Sequence, residues 1–341
     1  MAAPGVSVVI NVHNGERHLR EAVESVLGQT FPDLELVVVD DGSTDSTPSV
    51  LAECARQDAR VVVHRQEHAG VAAALNRATA VAEAGLIAHL DADDTALPDR
   101  LERQLAFLEE HPDVALVGGA VRFVDEQGRP FADYRFPLRD EEIRDAFESF
   151  TPFSHSNVVV RRQALEAAGG YRPLFVLAQD ADLWMRIALR HRAANLADVV
   201  GSIRVHSGHA SERRLVEQTM CWLAARASWR AVRDGRRDPL AGIERIDAAA
   251  LAALGVGDDE LTDALVQAAA WRVKTLGRAG YWEPAAELWE IALRWARAPS
   301  GSPRLARQVH RLRAWKEREQ GHALRARVAE LRAVLAWAWA R

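Results

Sequence analysis

A chain of 341 residues, 48% hydrophobic and 27% charged, has apolar material for one large domain and a smaller one, and its formal net charge of −5 leaves no basic footprint for nucleic acid. No apolar run approaches the roughly 20 residues that cross a bilayer, which argues against a spanning helix. Two cysteines, Cys54 and Cys221, stand far apart and match no metal or redox spacing, so they read as plain thiols of a reducing compartment.

The first apolar run, residues 6–12, follows a stretch without basic residues and is cut short by Asn11, His13 and Asn14, so it reads as a strand and not an export signal. Further β-branched runs at 34–39, 60–64, 86–90 and 114–124 read as strands, with helical patterns at 16–27, 47–57, 71–84 and 100–110 between them. This alternation, with central strands apolar on both faces, predicts an α/β domain over residues 1–207: a mostly parallel, Rossmann-like sheet flanked by helices. Ligands gather at the carboxyl ends of such strands. After about residue 210 strand-like runs stop and nine of the ten tryptophans follow, so residues 208–341 are expected to form an all-helical domain.

Within the first half, the turn after the first strand lacks G-x-G-x-x-G and no G-x-x-x-x-G-K-[ST] occurs anywhere, which removes the support for a dinucleotide oxidoreductase and for a P-loop phosphotransferase. The second strand ends in Val39-Asp40-Asp41-Gly42-Ser43-Thr44-Asp45. Carboxylates there can accept hydrogen bonds from a base or ribose while glycine lets the backbone turn beneath a ligand; the alternative for Ser43, Thr44 and Asp45 is helix capping. The apolar run from Gly85 closes in Leu90-Asp91-Ala92-Asp93-Asp94. In an extended chain Asp91 and Asp93 would point to one side and could grip one hard cation; the alternative is a solvated acidic loop.

In the helical half, residues 276–288 have a helix–turn–helix look reminiscent of a tetratricopeptide unit, although a single unit is short of the about three repeats such arrays need. Residues 302–341 are richer in arginine than in acid and carry Trp315, Trp337 and Trp339. That pattern can rest on an anionic membrane, or pack its apolar stripe on its own domain with the arginines solvated.

The ordered set of residues 7–15, 39–45, Ala69-Gly70-Val71 with Asn76-Arg77, 90–94, Gly169-Gly170-Tyr171, Gln179-Asp180-Ala181-Asp182-Leu183-Trp184 and Arg204-Val205-His206 strongly resembles family 2 glycosyltransferases over about the first 210 residues. The resemblance implies a GT-A fold, a nucleoside-diphosphate sugar donor (a UDP-sugar foremost), a divalent cation, Mn²⁺ or Mg²⁺, and inversion at the anomeric carbon. It places Asn11, His13, Asn14, Asp40, Asp41, Arg77, Asp91 and Ala92 at the donor nucleotide, with Asp91, Asp93 and His206 at the metal; for His206 an ordinary loop histidine is the rival. Asp180, opening a helical pattern at 181–190, is the expected general base, its alternative being a helix N-cap. Phe153-Ser154-His155-Ser156-Asn157 resembles the family's acceptor-side segment, so Ser154 and His155 border the acceptor without a catalytic role.

Two positions depart from the family pattern: His13 stands where most members have tyrosine, and Gln179 replaces the glutamate that usually precedes the base. The expected activity is therefore a metal-dependent glycosyl transfer in cell-envelope glycan or polysaccharide biosynthesis, the acceptor being a glycan, a lipid-linked or a small-molecule hydroxyl. The alternative is a catalytically weakened nucleotide-sugar-binding or scaffold protein; a nucleotidyltransferase would need a glycine-rich basic loop that residues 11–20 lack. No nucleic-acid partner is expected. The expected location is cytoplasmic, with peripheral contact at the inner face of the plasma membrane through the C-terminal tail, and the helical half leaves room for a homodimer.

Overall fold

Strand β1 (Val6–Val12) is buried along almost its whole length, because its β-branched side chains can cover both faces of a central strand. It pairs in parallel with β2 (Leu34–Asp41) and β4 (Leu86–His89), and β2 pairs in parallel with β3 (Val61–Gln66). Between them run α1 (Leu19–Leu27), α2 (Thr47–Gln57) and α3 (Val71–Val81). Helix α1 starts three residues later than expected: Asn14 takes a left-handed φ of 55° and Leu19 N–H reaches Gly15 O at 3.1 Å, so residues 15–18 form a turn.

The sheet continues with β5 (Thr95–Ala96), α4 (Arg100–Glu110), β6 (Val114–Val124), β7 (Pro130–Tyr134), α5 (Asp140–Ala146), β8 (Val159–Arg161), α6 (Arg162–Ala167), α7 (Gln179–Ala188) and β9 (Arg192–Arg204). Strand order is β3-β2-β1-β4-β8-β6-β9-β5, with β7 on β6. The long ladders are parallel, including β6 with β9, whereas the short β8, β5 and β7 join antiparallel and make the sheet mixed beyond β4. The core beneath the first half is the apolar set Val8, Ile10, Leu19, Val23, Leu36 and Val38 with their neighbours. Both thiols, Cys54 and Cys221, are free and buried.

The computed structural model describes residues 3–206 and 214–281, with 284, 285, 287 and 288. It divides into one unit of Met1–Arg204 with Ser228–Asp238 and another of Val205–Ala227 with the residues from Pro239 on, against the sequence-based boundary at 207/208. In the second unit α8 (Leu215–Arg233, whose last turns belong to the first unit), α9 (Ala248–Ala253) and α10 (Asp258–Arg278) are helical, as the loss of strand patterns predicts. Helix α10 buries Leu261, Leu265, Val266, Ala269, Val273 and Leu276 at three- and four-residue spacing. Arg226 stacks over Trp222 at 4.5 Å and pairs with Glu260. The turn expected inside 276–288 is present: Gly280 is left-handed and Tyr281 N–H closes on Leu276 O at 2.9 Å. The tryptophan-bearing segment 302–341 lies outside the described residues. Among the described residues no helix is long and apolar enough to cross a membrane.

Candidate functional site

The parallel ladder brings Val12 level with Asp40, Asp40 level with Arg65 and Asp41 level with Gln66, so the carboxyl ends of β1, β2 and β3 form one edge. Successive residues of a strand face opposite ways, which gives the two acids different tasks. Asp41 is buried and fully engaged: Oδ1 accepts from Ala69 N at 2.9 Å and Gln66 Nε2 at 2.7 Å, Oδ2 from Gly70 N at 2.9 Å, with His68 Nδ1 also 2.9 Å away. Burial pushes its carboxyl up, but the hydrogen bonds from Ala69, Gln66 and Gly70 and the nearby His68 outweigh that and leave it below the usual carboxylate range. Asp41 thus shapes the β3–α3 loop. Asp40, 1% exposed, accepts Ser43 N at 2.9 Å through Oδ1, while Oδ2 is buried without a hydrogen-bond partner, the Arg65 guanidinium standing 3.4 Å off.

Asn14 is a clasp between the first two loops: its N–H donates to Ser43 Oγ at 2.9 Å and its Oδ1 accepts Thr44 N at 2.8 Å. His13 is exposed, its Nδ1 lying 2.8 Å from Asp41 O and its ring 4.2 Å from that of His68, so two imidazoles line the rim where the family places tyrosine. Gly42 is required here, since its φ is +75° and a Cβ would come within 2.7 Å of His68 N. The cap position of α2 is Ser46, without a side-chain cap, so none of Ser43, Thr44 and Asp45 is the N-cap; Asp45, just before it, accepts Thr47 N at 2.9 Å through Oδ1. Asn11 lies half-buried on β1, and Arg77, half-buried on α3, reaches Gln66 Oε1 at 3.5 Å.

The acidic segment after β4 is a turn and not an extended strand: Asp94 N–H donates to Asp91 O at 3.2 Å, so the strand alternation assumed for Asp91 and Asp93 does not apply. The charge still converges. Buried Asp94 accepts Arg204 N at 2.8 Å and the Ser156 hydroxyl, and its carboxyl is held well above the usual range by burial and by the charges of Asp93 and Asp91. Arg204 Nε adds a bond to Asp93 O at 3.0 Å. Ala92, between the acids, packs partly on the core. Beneath them the buried guanidinium of Arg100 spans Ser156 O, His89 O and Val158 O at 2.7, 2.9 and 3.1 Å; burial, only partly offset by Asp91 and Asp94, lowers its pKa to about 9.

Asp180 sits in the first turn of α7, and the cap position is Ala178 at φ 53°, which removes the N-cap alternative. The helix is anchored by buried Asp182, which Arg172 and Arg186 grip through Oδ2 at 3.0 and 2.7 Å; Arg172 also pairs with Asp238 at 2.6 Å. Tyr171 is itself clasped by Asn76, whose side chain bonds both its N–H and its carbonyl at 2.8 and 2.7 Å; Gly170 preceding it has φ +67°, and a Cβ there would stand 2.7 Å from Asn76 Oδ1. Burial raises the Asp180 carboxyl, with His155 opposing and Asp91 reinforcing.

One residue given no catalytic role stands between the predicted acids. His155, in a short 3₁₀ turn, places Nδ1 2.8 Å from Asp91 Oδ1 and Nε2 3.0 Å from the Tyr171 hydroxyl. Burial would lower its pKa, but Asp91 and Asp180 together raise it. The motif around His155 was visible in the sequence; its partners, 16 to 64 positions away, were not. His206 lies half-buried two residues beyond β9, in the second unit.

A cation suits this acidic turn. Asp91 and Asp93 crowd a buried third carboxyl with negative charge, and among the described residues no set of three His, Cys, Asp or Glu side chains is pre-assembled around one point. Asp91 and Asp93 are the residues that could hold a hard divalent ion, which is commonly bound by one or two carboxylates together with phosphate oxygens.

The family model of Glycosyl transferase family 2 matches residues 7–169. The amylovoran biosynthesis glycosyltransferase AmsE of Erwinia amylovora is 34% identical over 212 residues, 61% of this chain and 79% of that protein. Among solved structures, the mannosyltransferase PcManGT of Pyrobaculum calidifontis in complex with GDP-Man and Mn²⁺ aligns with a TM-score of 0.54 at 25% identity, covering 97% of this chain and 88% of that one. Residues 1–349 of S. aureus TarS in complex with UDP-GlcNAc align with a TM-score of 0.53 at 18% identity, covering 95% and 90%. The fold is GT-A, and the chain belongs to glycosyl transferase family 2.

Proposed function

We propose that the chain transfers a sugar, with inversion, from a nucleoside-diphosphate sugar to an acceptor hydroxyl, with Asp180 as the general base. The observation that carries this reading is the common surroundings of Asp91 and Asp180: both charges act on Tyr171 and His155, and His155 bonds Asp91 directly. At the nucleotide end, the Oδ2 of Asp40, which has no hydrogen-bond partner and only the Arg65 guanidinium 3.4 Å away, is suited to an N–H of the base, with Arg65 for a carbonyl oxygen, His13 at the rim and Arg77 toward the phosphates.

Asp91 and Asp93 would hold Mn²⁺ or Mg²⁺. When bound, the ion offsets charge developing on the departing diphosphate. Asp180 takes the proton of the attacking hydroxyl; its carboxyl, raised by burial, is a stronger base than a solvated aspartate. A UDP-sugar is the proposed donor, from the resemblance and from the UDP-GlcNAc complex of TarS; the GDP-Man complex of PcManGT makes guanine the competing base. The glycan-synthesis role named for AmsE supports a growing polysaccharide as acceptor.

A thermal-shift panel of UDP, GDP, dTDP and CDP with and without Mn²⁺, followed by donor turnover, tests the reading, because a ligand of the folded state raises its stability by mass action. No shift with any nucleotide overturns it. Gln179 motivates the competing reading of a binding protein without turnover; that reading predicts nucleotide binding, no transfer, and transfer restored by Gln179→Glu. For a lipid-linked acceptor, anionic liposomes should sediment the full chain and not a version truncated near Pro299; equal behaviour removes the membrane reading.

A further inference from the structure

The chemistry proposed above uses Asp91, Asp93 and Asp180 and leaves the imidazole between them without a task. The side chain of His155 is 9% exposed, whereas that of Asp91 is 41% exposed and hydrogen-bonded through one oxygen, Oδ1, to His155 Nδ1. An ionised carboxylate only accepts, so Nδ1 carries the proton. Nε2 faces the Tyr171 hydroxyl, which in turn lies 3.3 and 3.4 Å from the two ring nitrogens of buried His89. The face of the His155 ring is stacked against Trp184, with centroids 6.2 Å apart and planes 29° from parallel. Trp184 is four residues beyond Asp180 in α7, hence on the same side of that helix one turn along. Both nitrogens and one face of the imidazole are therefore committed, and its orientation is set.

We infer that His155 is a positioning residue: it holds Asp91 by Oδ1 so that Oδ2 is presented to the cation, and through Trp184 it keeps that carboxylate in register with the helix that carries Asp180. Without it, a carboxylate as exposed as Asp91 would sample its rotamers freely and meet the ion only part of the time. Side chains that orient metal-ligating groups typically contribute 10–100-fold to metal affinity or activity. The inference rests on the metal reading of the acidic turn.

The test measures binding of UDP and GDP to the full chain, each with and without Mn²⁺, by calorimetry. In the wild type Mn²⁺ is expected to tighten nucleotide binding. His155→Phe keeps an aromatic ring against Trp184 and loses both hydrogen bonds, so it should cut that Mn²⁺-linked gain about 10-fold or more and leave metal-free nucleotide binding unchanged. His155→Asn, whose amide nitrogen overlies Nδ1, should restore most of the gain; His155→Gln, whose amide nitrogen overlies Nε2, should not. A wild-type gain in His155→Phe, or equal rescue by Asn and Gln, overturns the inference. Should the phenylalanine variant fail to fold, the comparison of Asn with Gln decides alone. A wild type without any Mn²⁺-linked gain defeats the metal reading itself, and the inference with it.

Discussion

The backbone N–H of Arg204 donates to Asp94 Oδ1 across 2.8 Å although 110 positions separate the two residues. The same arginine holds Asp93 O at 3.0 Å and Glu126 O at 2.9 Å and pairs with Glu21, so the end of β9 is sewn to the acidic turn. Arg204→Met removes the donor from those part-buried carbonyls and breaks the Glu21 pair, and should cost about 1 kcal/mol or more, seen as a lower denaturant midpoint, together with weaker Mn²⁺-linked nucleotide binding. An unchanged midpoint would show that the turn holds itself.

Asp180→Asn keeps the shape of α7 and removes the base. Turnover should fall about 10²–10⁴-fold while calorimetry finds nucleotide affinity intact. Wild-type turnover in this variant would move the base elsewhere.

The pH profile carries the same assignment. Asp180 must be ionised to accept a proton, and burial raises its pKa, so kcat/KM should decline as pH falls through an apparent pKa above the ordinary value of about 3.9. An acid limb at or below that value would contradict a buried base.

Asp41 works with the opposite sign. Its folded-state carboxyl lies below the ordinary range, so its contribution is present in full above a pH of about 4 and is lost as pH falls through the folded value. Asp41→Asn should lower unfolding free energy at neutral pH by about 1–3 kcal/mol, and the gap to wild type should close in acid. A gap that persists at low pH would show that the charge contributes nothing.

Asp40→Ala removes a buried oxygen, Oδ2, that has no hydrogen-bond partner at the edge formed by β1, β2 and β3. The stabilisation by the preferred nucleoside diphosphate should disappear from the thermal-shift panel, on top of a lower melting temperature without ligand because Ser43 N–H loses its acceptor. Undiminished stabilisation would place the base somewhere else.

Residue pattern located β1, α2, α4 and β6 to the residue, because each is an uninterrupted periodic run whose burial follows from its own side chains. Strand β9 escaped, since Arg192, Asn195, Asp198 and Gly201 break its apolar pattern and its register shifts twice near Ala120; β6 and β5 supply the pairing that makes it a strand. Strands β5 and β8, of two and three residues, are too short to leave a periodicity and exist through their neighbours.

Local chemistry in the chain was enough to determine the α/β alternation, the acids at strand ends and the family, because apolar periodicity and motif order are properties of neighbouring residues. Tertiary structure alone decided that Asp41 serves a loop and Asp40 keeps an open oxygen, that the acidic segment is a turn tied to Arg204, and that His155 joins Asp91 to the helix of Asp180. Those assignments depend on which groups remain unpaired once the sheet has closed, and partners dozens of positions apart meet only through the register of the strands that carry them.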